Sequence, residues 1–175
     1  MSTDGKANTN AANRKTGVAN RMTIANVPSQ SGSLTFQENT PQSPSWSNYN
    51  TAQLTLGGVT TGTNATSYNA TFTPKDDYMW PDGTTMAKTV SWSIGKAAGS
   101  LTLSKSSVTL NTSKLSDTVT VTRPGDGAIS ATSSDTSVAT ASVSGSVVTI
   151  SHVNQKTGTA TVTNKVAAGT NHNAP

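Results

Sequence analysis

Cysteine is absent from this 175-residue chain, so no disulfide and no thiolate metal site can form in it. Charge is scarce too: Asp, Glu, Lys and Arg make up 11% of the residues, too few for disorder of the highly charged kind. No apolar run approaches the ~20 residues that a membrane helix needs, so membrane insertion is not expected. Residues 1–26 contain no hydrophobic stretch, so a secretory leader is not expected there. The two histidines, His152 and His172, are read as surface residues, one at a strand end and one in a C-terminal loop. Catalysis needs a group that titrates near neutral pH or a nucleophile with a base in reach. The serines fall in no nucleophile-elbow or Ser-x-x-Lys setting, so an enzyme is not expected, and no cofactor is implied.

What is abundant is Ser, Thr and Asn, which fill 71 of the 175 positions. Hydrophobic residues are 32% of the chain, enough for thin cores and little more. Thr and Val dominate the periodic segments, which favours strands over helices. The net charge of +4 is uneven. Residues 1–26 set Lys6, Arg14, Lys15 and Arg21 against Asp4, whereas residues 27–95 carry two basic and four acidic side chains. Residues 96–175 carry six basic and three acidic ones. A basic, polar leading segment suits an acidic surface. For nucleic acid the footprint is weak, because no aromatics are interleaved with the four cations.

Three regions follow from the patterning. Residues 1–26 have no period and read as an extended arm, either a free tail or a docking segment. The docking reading rests on Arg14, Lys15, Arg21, Met22 and Ile24. Residues 27–95 read as a first β-module: Leu54/Leu56, Tyr68/Ala70/Phe72 and Val90/Trp92/Ile94 each alternate with polar residues, the signature of a strand with one buried face. Turns are expected at Gly57-Gly58, Pro74 to Asp77 and Pro81-Asp82-Gly83. Residues 96–175 read as a second module, with short strands around Leu101/Leu103, Val108/Leu110, Val119/Val121, Ile129, Val138 to Val143, Val148/Ile150 and Ala160/Val162. Here the separators are Pro124 to Gly127, Gly145 and Lys156-Thr157-Gly158. Strand-length runs with turns at this spacing indicate sandwiches or barrels.

The run Ser133-Ser134-Asp135-Thr136-Ser137-Val138-Ala139-Thr140-Ala141, with Gly145 and Val148-Thr149-Ile150 after it, resembles the bacterial immunoglobulin-like group 2 family. The first module has its own likeness, carried in order by Val27 to Thr35, Gln42 to Tyr49, Ala70 to Pro74, Trp80 to Thr85 and Lys88 to Gly95. It resembles Ig-like repeats in phage and prophage structural proteins, which lead into a group 2 domain through a linker like Ile94 to Leu101. The resemblance spans Val27 to His172 and leaves out the arm.

It implies an all-β chain of two tandem Ig-like β-sandwiches behind an extended N-terminal arm. It also implies a bacteriophage virion structural protein, a decoration or fibre displayed on the virion surface. The expected partner is the major capsid or tail protein of the same particle, with many copies on a lattice or a homo-oligomer, and host surface glycans beyond it. A bacterial cell-surface adhesion or cell-wall module is the alternative. Related modules often carry one more strand after the segment equivalent to Ala167 to His172, so a strand missing from the second module, or donated by another subunit, is expected.

Trp92, inside an alternation, is expected in the core. Trp46, Tyr49 and Trp80 have two readings: plugs at the open ends of a sandwich, which is favoured, or a glycan-contact face of rings and neighbouring amides. Asp76, Asp77, Asp82, Asp126 and Asp135 read as turn residues, not calcium ligands, because their spacing fits no established loop.

Overall fold

Alternation in the sequence becomes strand in a computed structural model of the protein, which describes residues 20–175. The architecture is all-β: fourteen strands and no helix among the described residues. The chain divides into two compact units. One runs to Leu34 and resumes over Asn39–Ile94, and the other comprises Gly95–Pro175 together with Thr35–Glu38.

The first unit contains β1 (Met22–Thr23), β2 (Ser29–Ser31), β3 (Leu34–Thr35, whose Thr35 falls in the second unit), β4 (Ser45–Ser47), β5 (Leu54–Gly58), β6 (Ser67–Pro74), β7 (Tyr78–Met79) and β8 (Lys88–Gly95, whose Gly95 falls in the second unit). Its main sheet has the order β3-β8-β6-β5. Antiparallel registers place Leu56 opposite Phe72 and Tyr68 opposite Trp92. Side chains alternate across a strand, so Leu54, Ala70, Phe72, Trp92 and Ile94 all fall on the buried face. Two smaller pairs complete the unit, β2 with β4 antiparallel and β1 with β7 parallel.

The second unit contains β9 (Thr102–Leu103), β10 (Ser116–Thr122), β11 (Ile129–Ser133), β12 (Ala139–Ser144), β13 (Val147–His152) and β14 (Val162–Val166). A four-stranded sheet, β12-β13-β10-β9, and a two-stranded one, β11-β14, supply its residues to one core. Val119, Val121, Val148 and Val166 form the centre, with Leu101, Val108, Ile129, Ala141, Val143 and Ile150 packed against it. Each of these side chains is aliphatic and none is aromatic, which is how a chain with few aromatic residues still closes a core. β12 and β13 join through a two-residue loop, Gly145-Ser146, with Gly145 at φ 59°, the left-handed conformation a tight hairpin requires.

Two expectations need correcting here. Val108 and Leu110 form no strand: residues 105–110 join no ladder, and only Val108 reaches the core cluster. The turn expected at Gly57-Gly58 is strand instead: both glycines end β5, paired with Thr71 and Ala70 of β6. The separator expected at Lys156-Thr157-Gly158 does fall between β13 and β14, after a tight turn. Asn154 and Gln155 both take positive φ, 49° and 55°, and the Lys156 amide donates to the Val153 carbonyl at 3.0 Å. A tight turn needs left-handed backbone at its two central residues, and Asn tolerates it well.

Candidate functional site

The arm residues separate when placed in the structure. Arg14 and Lys15 lie outside the described residues. Arg21 is half-buried and Met22 is 56% exposed. Ile24 is not available for docking: it is 3% exposed, and its amide donates to the Met79 carbonyl at 2.8 Å. The Met22 amide likewise donates to the Asp77 carbonyl at 2.8 Å. An apolar side chain at a two-residue parallel pairing has no periodic pattern around it, so the sequence gives no sign that residues 22–24 belong to the first unit.

Of the three aromatics weighed for glycan contact, Trp80 is excluded from the surface. It is fully buried, its indole N–H donates to the Met86 carbonyl at 2.8 Å, and Lys88 Nζ lies 5.2 Å from the centre of its ring. The turn Pro81-Asp82-Gly83 folds the chain back over it: the Trp80 amide donates to Thr84 O and the Gly83 amide to Trp80 O. Trp80 is therefore a plug. Trp46, on β4, and Tyr49 remain half-buried. Both stand edge-on to the buried Phe72, with centroids 4.9 and 5.3 Å away. Between and beside them, Asn48 and Asn50 are exposed. Asn48 takes a positive φ of 59°, and Asn50 Oδ1 accepts the Ala52 amide at 2.9 Å. Half-covered rings flanked by amides offer stacking area and hydrogen bonds to a sugar.

The carboxylates are tied to their own loops. Asp82 accepts the Thr84 hydroxyl at 2.6 Å and its amide at 2.9 Å, and pairs with Lys88 at 2.9 Å. These bonds, the Thr84 hydroxyl first, hold its pKa well below the usual carboxylate range. Asp135 accepts the hydroxyl and amide of Ser137, and Asp126 those of Thr170, with the same downward effect. Asp117 bridges Lys105 and Lys114, both at 2.7 Å, and is lowered first by Lys105. Among the described residues, no three His, Asp or Glu side chains come together as a metal site would require.

A feature the sequence did not reveal lies in the second unit. A groove of about 770 Å³ is lined by residues 105–112, by 155–162 and by Asn164 of β14. Deeper in, Val119 of β10 and Ile150 of β13 line it, with Val138 from the turn before β12. His152 Nδ1 and Asn164 Oδ1, both from lining residues, are buried atoms without a hydrogen-bond partner among the described residues. His152, expected on the surface, is half-buried, with Nε2 3.1 Å from the Lys156 carbonyl. The one sequence signal was the Val108/Leu110 alternation, which reads as a strand but finds no neighbour.

No protein-family model matches this sequence, and no curated protein matches it either.

Proposed function

We propose that this chain is a bacteriophage virion structural protein, a decoration or fibre held on the capsid or tail by its basic N-terminal residues. Its two β units are Ig-like sandwiches that project from the particle and make weak contacts with host-surface glycans. One observation carries the reading: the strands of the two units fall on the segments whose order and residues resemble phage Ig-like modules. The turn–strand–Gly–strand signature of the group 2 family, Ser133 to Ile150, corresponds to the end of β11, β12 and the hairpin into β13. Weak single-site affinity suffices, because many copies on one particle multiply avidity.

Docking falls to residues 1–21, with Arg14, Lys15 and Arg21, and with Met22 at its edge. Ile24 is left out because it is buried. Adhesion falls to Trp46 and Tyr49.

The test is incorporation. Particles assembled with the full chain, or with a chain lacking residues 1–19, are purified and probed for the protein. Loss of the truncated chain from particles is expected, and undiminished incorporation overturns the docking role. A glycan array comparing the full chain with Trp46→Ala and Tyr49→Ala checks adhesion; equal binding by all three removes that face. The rival, a bacterial cell-surface module, predicts the protein in cell-wall fractions and none on particles.

A further inference from the structure

The groove of the second unit has an open strand edge along it. β14 pairs with β11 in the register Thr132↔Thr163 and Ser130↔Lys165. The Ser134 amide donates to Thr161 O at 2.9 Å and the Ala167 amide to Ala128 O at 2.8 Å, which fixes the phase of the ladder. In an antiparallel pair the bonded positions alternate, so the odd-numbered residues of β14 turn their backbone groups toward β11. The backbone N–H and C=O of Val162, Asn164 and Val166 therefore face the other way. Among the described residues no backbone partner meets them there, and the nearest candidate strand, around Val108 and Leu110, forms no ladder. Residues 105–112, 155–162 and Asn164 line the groove, an arrangement that suits a free segment better than a strand embedded in its own sheet.

We propose that this groove docks a free, extended polypeptide segment from a partner protein, pairing with β14 as an added strand. β14 has five residues, which sets an occupant of about 17 Å. Val108, Leu110, Val119, Val138, Ile150 and Val162 call for alternating apolar side chains on the inward face. Charge selects among tails. The lining includes Lys105, Lys156 and His152 and no carboxylate; just outside it, Lys105 shares Asp117 with Lys114 and Asp135 stands 3.9 Å from Lys156, so the charge left over is positive and the occupant is neutral or acidic. This chain's own leading segment, Met1 to Ala19, carries Lys6, Arg14 and Lys15 against Asp4 and has one large apolar residue besides Met1, Val18. It fits on neither count. An entering N–H also gives Asn164 Oδ1 the donor it lacks.

Main-chain bonds supply most of the affinity in strand addition, so a generic peptide is a fair probe. The full chain, ¹⁵N-labelled, is titrated with a capped peptide of alternating Val and Thr ending in Asp and Glu, and with one ending in two Lys. The acidic peptide should slow amide exchange at Val162, Asn164 and Val166 by about tenfold or more, leaving Thr163 and Lys165 as they were. It should bind roughly fivefold more tightly than the basic peptide, and Lys156→Glu should abolish or reverse that preference. Asn164→Pro deletes a groove-facing N–H without touching the β11 ladder and should abolish binding. Should that variant unfold, Lys156→Glu on the exposed rim still decides. No change at the three amides with millimolar peptide overturns the proposal. So does protection of those amides in the free protein, whether it sediments as a monomer with the edge filled internally or as a dimer with a second copy in the groove.

Discussion

Tyr68 lies almost flat on Trp92, with ring centroids 4.6 Å apart and planes 23° apart. The two are direct partners across β6 and β8, so the stack is a product of register: a one-residue slip would move one ring to the opposite face. Both ends of the pair are anchored. The Trp92 indole N–H donates to Val59 O at 2.7 Å, and the Tyr68 hydroxyl donates to Asn64 O at 2.9 Å while accepting the Asn64 amide at 3.0 Å.

Trp92 is 1% exposed, so Trp92→Ala removes both the stack and a large part of the first core. It should cost about 3–5 kcal/mol. Tyr68→Phe keeps the stack and loses only the hydroxyl bonds, about 0.5–1.5 kcal/mol. Urea unfolding followed by tryptophan fluorescence measures both. Equal costs would show that the hydroxyl, and not the ring pair, holds the loop at Asn64.

This relationship was largely legible in advance, and the reason is physical. Tyr68, Ala70 and Phe72, and Val90, Trp92 and Ile94, lie in strands of eight residues, long enough for a period of two to declare which face is buried. Ile24 was not legible, because a two-residue pairing leaves no period; Trp80 was legible as the favoured of two readings, since the turn that buries it leaves no period to decide between them. The groove was illegible for a different reason. Alternation at Val108 and Leu110 predicts a strand but says nothing of whether a neighbour comes within ladder distance.

Gly58 ends β5 at φ 73°, and a Cβ there would sit 2.9 Å from the Asn69 carbonyl oxygen, which accepts the Val59 amide. Gly83 has a similar φ of 79° but open space around the same position. Gly58→Ala should therefore cost about 1–3 kcal/mol, and Gly83→Ala about 1 kcal/mol from backbone strain alone. Thermal unfolding of the two variants side by side separates clash from strain. A Gly83 variant as unstable as the Gly58 one would mean that the clash at Asn69 relaxes freely.

Asp117 and Asp82 should make the stability of the protein fall in acid. Each carboxyl has a folded pKa held below its ordinary 3.8, Asp117 first by the Lys105 ammonium and Asp82 first by the Thr84 hydroxyl. A depressed folded pKa means that the unfolded chain takes up protons first. The stabilisation is therefore complete above the ordinary carboxylate value and is lost as pH falls through it toward the folded value. The unfolding temperature should drop between about pH 5 and pH 2. Asp117→Asn should flatten part of that drop, and added salt should weaken the contribution of this exposed pairing. An unchanged pH profile in Asp117→Asn would dissociate the Lys105–Asp117–Lys114 cluster from acid stability.

Trp46 and Trp80 look alike in sequence, each within two residues of a proline and close to turn residues, and the structure gives them different environments. Trp80 has no exposed surface and a satisfied indole N–H, whereas Trp46 is half-covered by Phe72 alone among the rings. Truncating Trp80 leaves a cavity and an unpaired Met86 carbonyl, so Trp80→Ala should lose about 3–5 kcal/mol. Trp46→Ala should lose about 1–2 kcal/mol, in proportion to the smaller area it covers. Acrylamide quenching gives an independent reading: in variants keeping one tryptophan each, Trp46 should quench readily and Trp80 hardly at all. If Trp46 proved as protected as Trp80, its ring would have no face to offer a sugar, and the adhesive surface would have to be sought away from β4.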